Sequence, residues 1–476
     1  MTFQFDNSWR RDLPGTYLAL PPDAAPAPRL LVLNERLAAD LGLNARDLAA
    51  QGAGWFSGAV LPPGAEPLAL AYAGHQFGGF SAQLGDGRAH LLGEFLGPDG
   101  QRRDLQLKGS GRTPFSRGGD GKAAVGPMLR EHLISEAMAA LGVPTTRSLA
   151  VVATGETVLR EGGPLPGAVL ARVAASHIRV GTFEFFAARR DQATLSALLH
   201  YTIARHFPDL TGTSAPGLAL WDAVAARQMR LVARWMGLGF VHGVMNTDNM
   251  ALSGETIDYG PCAFMEATAP DTVFSSIDRQ GRYAYANQPL ILAWNLARLA
   301  ETLLPFFGVE AEAAVELAND RLGGIAGRYQ VEWRTVMAGK LGLAAPDPVL
   351  GEAFLAAIQG ADWTQCFRRL ADAAAGRDAG ILALCPDPSR LVDWLPWWRA
   401  QLAPDAEVRI RAENPAVIPR NHLVEAALSA ANAGDMAPFR ALLAEVSRPF
   451  AAGRGREKFT LPAPAGFGSY VTFCGT

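Results

Sequence analysis

The chain has 476 residues, 49% of them hydrophobic and 19% charged, with a formal net charge of -3. That length buries a large core in two lobes or more, and the slightly acidic balance excludes a global basic field for nucleic acid. The 50 glycines and 32 prolines fall short of low complexity. No apolar run is long enough to span a bilayer, and the first residues lack the charged-then-apolar order of a secretion signal. A soluble, reduced, cytoplasmic protein is therefore expected, with neither nucleic acid nor membrane as partner; a monomer is the expected state. Cys262, Cys366, Cys385 and Cys474 form no CxxC pair and no zinc spacing.

Taken in order, residues 1–60 read as an N-terminal extension with one helix, Leu31 to Leu41, stopped by Gly42. Ala71 to Phe80 mixes glycines with aromatics, and His75 within it reads as a hydrogen-bonded structural histidine. Gln83 to Glu94 reads as strand, glycine turn, strand. There Gly85 and Gly87 let backbone N–H groups approach a phosphate beside Arg88, although any hairpin uses such a turn. Arg103 to Lys108 alternates as a half-buried strand ending on a lysine. The loop after it carries Arg112, Arg117, Asp120, Gly121 and Lys122 among further glycines, so charge and backbone can both meet phosphate; the alternative is a solvated basic loop.

Pro127 to Leu141 has the pattern of an amphipathic helix with Gly142 as its stop. It carries Glu131 and Glu136. A strand lysine paired with a glutamate of the following helix is the device by which protein kinases position phosphates, and Glu131 is the partner expected for Lys108. Ser148 to Ala153 with Val158 to Arg160 reads as a hairpin. Ala168 to Val173 reads as a strand carrying Arg172, with Arg179 seven residues on. Helices are expected over Ala193 to Phe207, Trp221 to Met236, Leu290 to Leu304, Ala311 to Arg321 and Leu350 to Ala356. The tryptophans of Trp394 to Trp398 read as packing.

The stretch His242-Gly243-Val244-Met245-Asn246-Thr247-Asp248-Asn249, followed by Asp258-Tyr259-Gly260, organises the rest. Met250 to Leu252 and Glu255 to Ile257 read as a short hairpin that brings Asn249 and Asp258 together. Two hard oxygen ligands at that spacing suit a Mg²⁺ held mainly by nucleotide phosphates, as the catalytic-loop Asn and the Asp of Asp-Phe-Gly do in kinases. Turn chemistry alone would also produce such a sequence. Five residues before Asn249, where a kinase has its catalytic Asp, stands Val244, which takes no proton. Asp248 is the nearest alternative base.

With these motifs in hand, the chain resembles the selenoprotein O family, including bacterial members with cysteine in place of selenocysteine. The resemblance covers essentially the whole length, from Phe5-Asp6-Asn7-Ser8 and Leu13-Pro14-Gly15 through Leu107-Lys108-Gly109-Ser110-Gly111-Arg112-Thr113-Pro114 and His242 to Met250, to the terminal Cys474. It implies an α+β, protein-kinase-like two-lobed fold: a mixed β/α N-lobe over 61–180, a mainly helical C-lobe over 181–400, and extensions at 1–60 and 401–476. It also implies ATP bound in a flipped orientation, with Mg²⁺ or Mn²⁺, and transfer of AMP to Ser, Thr or Tyr hydroxyls of protein substrates. Carried over by position, Gly85, Gly87, Arg88, Lys108, Asp120, Gly121, Arg172, Arg179 and Asp258 would surround the nucleotide. Asp248 would accept the proton, and Asn249 and Asp258 would hold the metal. The family's redox link attaches to Cys474, with Cys262 as the candidate partner or else a small buried residue. The competing readings are an atypical kinase that transfers the γ-phosphate and a nucleotide-binding scaffold without chemistry.

Overall fold

In the computed structural model, which describes residues 3–451, 453, 455–467 and 470–472, the chain is mixed α+β. A sheet-containing N-terminal part precedes a helical C-terminal part. The strands are β1 (Tyr17–Ala19), β2 (Arg29–Leu33), β3 (Leu68–Leu70), β4 (Gly74–Gln76), β5 (Gly79–Ser81), β6 (Ala89–Leu96), β7 (Arg102–Lys108), β8 (Arg147–Arg160), β9 (Gly163–Ala174), β10 (Phe240–Val241) and β11 (Ala263–Phe264). Seven of them form one antiparallel sheet in the order β1-β3-β6-β7-β9-β8-β2, while β4–β5 and β10–β11 are separate ribbons. The first sixty residues thus supply both edge strands.

Strand periodicity decides what the sheet does. Leu105 and Leu107 on β7, with Val169, Ala171 and Val173 on β9, face a core shared with Trp55 and Phe56 of the helix Ala45–Ser57. The alternate residues Gln106 and Lys108 point to the other face. Register sets Gln106 opposite Arg172 and Lys108 opposite Leu170, so a row of polar side chains projects toward the helix Val125–Ala140. That helix packs Met128, Leu129 and Leu133 against Val151, Ala168 and Leu170. One strand pair therefore builds a core on one side and a charged wall on the other.

Three expected elements fold differently. Leu31 to Leu33 belongs to β2, and the helix begins only at Glu35, with the Asn34 side chain capping it. Ser148 to Arg160 is a single strand paired along β9. Gly155, at φ +81°, makes a bulge rather than a reversal, and the register shifts between Ala153 and Thr157. Gln83 and Leu84 are irregular, so the strand expected to lead directly into the Gly85 turn does not form.

The helical part is built on Pro216–Leu238 and Gln288–Leu303, which share one large core. Trp394 and Trp398 stack at 5.2 Å and donate their indole N–H groups to Leu350 and Leu341 carbonyls, while Trp397 stays exposed. The Asn414-to-His422 stretch ties elements together: Lys340 Nζ donates to Asn414 Oδ1 at 2.6 Å, and buried Arg420 pairs with Asp362 at 2.7 Å. No helix among the described residues is long and apolar enough to cross a membrane.

Candidate active site

A cavity of about 600 Å³ opens between the charged face of the sheet and the segment 244–261. Its walls include Gly85, Gly87, Arg88, Lys108, Asp120, Gly121, Arg172, Arg179, Asp248, Asn249 and Asp258. Residues far apart in sequence meet here because Lys108 at the end of β7 and Arg172 on the neighbouring β9 both reach Asp258, which the segment after Phe240–Val241 carries.

Its centre is Asp258, at φ +64° in the left-handed region that Asp tolerates better than most residues. Lys108 binds its Oδ1, Arg172 reaches the same oxygen at 2.8 Å, and Arg179 reaches Oδ2 at 3.0 Å. Burial alone would raise the pKa of this carboxyl, but Lys108, Arg172 and Arg179 outweigh it and hold the group well below the usual carboxylate range. Glu131 adds a second anion, 2.7 Å from Lys108 Nζ and 3.1 Å from Arg172. Glu136 is engaged elsewhere, by Arg147 at 2.6 Å. Two carboxylates thus face three cations, leaving the cavity with a cationic surplus.

Asp248 lies in a one-turn 3₁₀ segment, Thr247–Asn249. The expected hairpin after it does not form. Ala251 bridges to Arg179 and Thr256 to Thr145, so each arm pairs with a different neighbour. Arg179 donates to the Asp248 carbonyl at 2.7 Å and stacks over Tyr72, 4.6 Å from its ring centre. The Asp248 carboxyl is buried, with Oδ1 lacking any hydrogen-bond partner and Oδ2 only 3.5 Å from Gln76 Nε2. Burial pushes its pKa up to about 7 against the pull of Arg179. The pocket for it depends on Gly74, where a Cβ would stand 2.6 Å from Oδ1. Asn249 Nδ2 donates to the Val244 carbonyl at 3.1 Å, which leaves its amide oxygen for a ligand.

Glycine is required at position 85 as well: φ is +65°, and a Cβ would lie 2.3 Å from the Phe115 ring. Asp120 lines the rim but is tied to Arg160 at 2.8 Å. Cys262 is fully buried beside the site, where burial pushes its thiol up to about 12 against the nearby Arg130. Cys474 lies outside the described residues.

Several participants carried no local signal. The β4–β5 ribbon covers the 246–248 segment: His75 N–H donates to Thr247 Oγ1 at 2.7 Å, and Phe77 N–H donates to Asn246 Oδ1 at 3.2 Å. His75 itself sits 2.5 Å from Glu184, as a structural histidine does. Tyr72, Gln76 and Asp86 also line the cavity. Asp86 accepts from Leu70 N–H and Gln106 Nε2, both at 3.1 Å, and burial raises its pKa to about 6 despite Arg179. Since the folded carboxyl binds its proton more tightly than the unfolded one, its stabilising contribution is complete below about pH 4 and is lost as pH rises through about 6. The variant Asp86→Asn keeps an acceptor for both donors. It is expected to melt higher than the parent near pH 8 and to lose that advantage near pH 4, in thermal unfolding without nucleotide. Parallel melting curves at all pH values would count against a strained Asp86.

Two glycines, a cation cluster, two oxygen donors and a buried carboxyl all face one cavity, and comparison with known proteins shows the class of protein that carries it. The chain belongs to the SelO family: the family model for protein adenylyltransferase SelO matches residues 1–447. It is 61% identical, over the full length of both chains, to a Cereibacter sphaeroides protein named protein nucleotidyltransferase YdiU. Proteins of the same name from Chromobacterium violaceum (55% identity, 98% of this chain and all of the other) and Sphingopyxis alaskensis (54%, all of both) are similar to it as well. The chain is an enzyme of the nucleotidyltransferase class.

Proposed function

We propose that this protein transfers AMP from ATP to Ser, Thr or Tyr hydroxyls of protein substrates and releases pyrophosphate, using Asp248 as proton acceptor. The observation that carries the assignment is the Asp248 carboxyl: buried, with one oxygen unpartnered, at the wall of the cationic cavity. Val244 occupies the place where a kinase has its base, while a group poised near neutrality stands beside the metal-site candidate Asn249. The Lys108–Glu131 ion pair between a strand end and the following helix supports a kinase-like two-lobed arrangement.

In the reaction, the acceptor hydroxyl gives its proton to Asp248 and its oxygen attacks the α-phosphorus. The bond from that phosphorus to the bridging oxygen breaks, and pyrophosphate departs. Lys108, Arg172 and Arg179 meet the charge that builds on the leaving group, with Arg88 and the loop to Lys122 along the cavity wall. The hard oxygens of Asn249 and Asp258 fit Mg²⁺ or Mn²⁺ held largely by phosphate oxygens. When bound, such an ion neutralises phosphate charge.

Incubation with a protein acceptor and ATP labelled at either the α- or the γ-phosphate tests this. Acceptor carrying the α label alone is the expected result. Acceptor carrying only the γ label would make the protein a kinase and overturn the reading.

A further inference from the structure

The acceptor protein has to reach Asp248, and the element laid directly against that residue is the β4–β5 ribbon. Its two-residue turn, Phe77-Gly78 with φ +51° and +86°, is bonded to Asn246 and abuts Arg282. The ribbon's outer side is open: Phe80 is 45% exposed and its ring lies 4.9 Å from His75, which in turn lies 5.1 Å from Trp294. Trp294 stands one turn after Leu290, 69% exposed, on the helix Gln288–Leu303. Ile277, 57% exposed, forms part of the cavity wall together with Gln76 and Phe77 of the ribbon and its turn.

Amid these apolar groups sits the cation Arg282, whose main-chain N–H donates to the Asp278 carboxylate at 2.9 Å while its guanidinium is left to other partners. The Arg282 guanidinium lies 4.8 Å from the Trp294 ring centre and 5.7 Å from that of Tyr283. It makes no ion pair among the described residues, and its buried Nε has no hydrogen-bond partner. By contrast, neighbouring Arg298, over the same indole, is paired with Glu301 at 2.7 Å. A guanidinium set against aromatic rings, with its Nε unpartnered and no carboxylate in reach among the described residues, is pre-organised for one. The adjacent residue, Tyr283, donates its hydroxyl to Asn246 at 2.5 Å, which ties Arg282 to the segment that carries Asp248.

We infer that this surface seats the acceptor protein, its apolar side chains resting on Phe80 and Trp294 and an acidic side chain near the acceptor hydroxyl pairing with Arg282. The inference rests on the reading of Asp248 as the point where the acceptor hydroxyl reacts. It adds a partner chemistry: acidic and apolar residues around the modified position. Nothing in the nucleotide cavity would impose that preference, because the cavity's own cations are directed at phosphate.

Two synthetic peptides with the same Ser, Thr and Tyr acceptors and the same apolar residues, but flanked by Glu in one and Lys in the other, test it with α-labelled ATP. The full-length enzyme is expected to favour the Glu peptide in kcat/KM by roughly tenfold, the scale of one partly desolvated ion pair. Arg282→Glu should reverse that order with the KM for ATP unchanged. Because Arg282 is half-buried, Phe80→Ser on the exposed edge is the companion variant; it should raise KM for both peptides and leave kcat and the KM for ATP as they were. Equal use of the two peptides, an Arg282→Glu enzyme that keeps the parent's preference, or a Phe80→Ser enzyme with unchanged peptide KM each overturns the docking surface. Label that enters proteins of a bacterial lysate but neither peptide also overturns it, and leaves the AMP-transfer reading standing. No label from α-labelled ATP in any protein overturns both.

Discussion

Replacing Asp248 by Asn should lower AMP transfer about a thousandfold and leave ATP affinity nearly unchanged. General base catalysis contributes roughly 10²–10⁴ in rate, and here no other group stands ready to take over. Gln76 is the side chain within reach of Asp248, and Val244 beyond it is apolar. The substitution is nearly isosteric, so it should preserve the fit against Gly74 and the Arg179 bond, which goes to the main-chain carbonyl rather than the carboxyl. The phosphate contacts proposed for Lys108, Arg172 and Arg179 are independent of the Asp248 carboxylate, which none of the three touches. The measurement is initial-rate transfer of α-labelled AMP beside equilibrium binding of ATP. An Asp248→Asn enzyme that turns over within a few-fold of the parent would remove Asp248 from the chemistry. One that fails to bind ATP would make it a structural residue.

The parts of this site that could be read in the sequence are those coded by short-range periodicity. Lys108 closes an alternating strand, and Glu131 and Glu136 lie on a helix whose apolar positions repeat at helical spacing, so all three could be placed from the chain, while only the folded contacts give Glu131 to Lys108 and Glu136 to Arg147. What could not be read depended on contacts across the fold. Gly155 marks a turn in most sequences, yet continuous pairing with β9 overrides it and makes a bulge. Leu31 to Leu33 looks helical next to Leu37 and Leu41 until β8 claims it as an edge strand. The Met250-to-Ile257 hairpin fails because Arg179 and Thr145 offer its arms better partners than they offer each other. Asp86 and Gln76 sit among turn residues with no pattern of their own. Only the burial of one and the approach of the other to Asp248 single them out.

Asp258 separates metal binding from charge balance, and the two should move in opposite directions when it is replaced. Its carboxylate is the shared counter-ion of Lys108, Arg172 and Arg179, and Glu131 pairs in addition with Lys108 and Arg172. Asp258→Asn leaves these largely buried cations under-compensated, a loss of the order of 3–5 kcal/mol for one broken buried pair, and the melting temperature should fall by several degrees. The same variant should lose metal-supported transfer at least a hundredfold, because one of two oxygen ligands for the ion becomes a neutral amide. Its affinity for a metal-free polyanion should nevertheless rise. In the parent, inorganic pyrophosphate has to displace the Asp258 carboxylate from the three cations, whereas in the variant only Glu131 still competes, at Lys108 and Arg172. Thermal unfolding with and without pyrophosphate, under chelator, reads this directly: ligand that binds only the folded state raises its melting point by an amount that grows with the logarithm of affinity, so at equal pyrophosphate the induced shift should be larger for the variant than for the parent. A variant with undiminished metal-supported turnover would take Asp258 out of the metal site. An equal or smaller pyrophosphate shift would show that its carboxylate does not compete with phosphate for Lys108, Arg172 and Arg179.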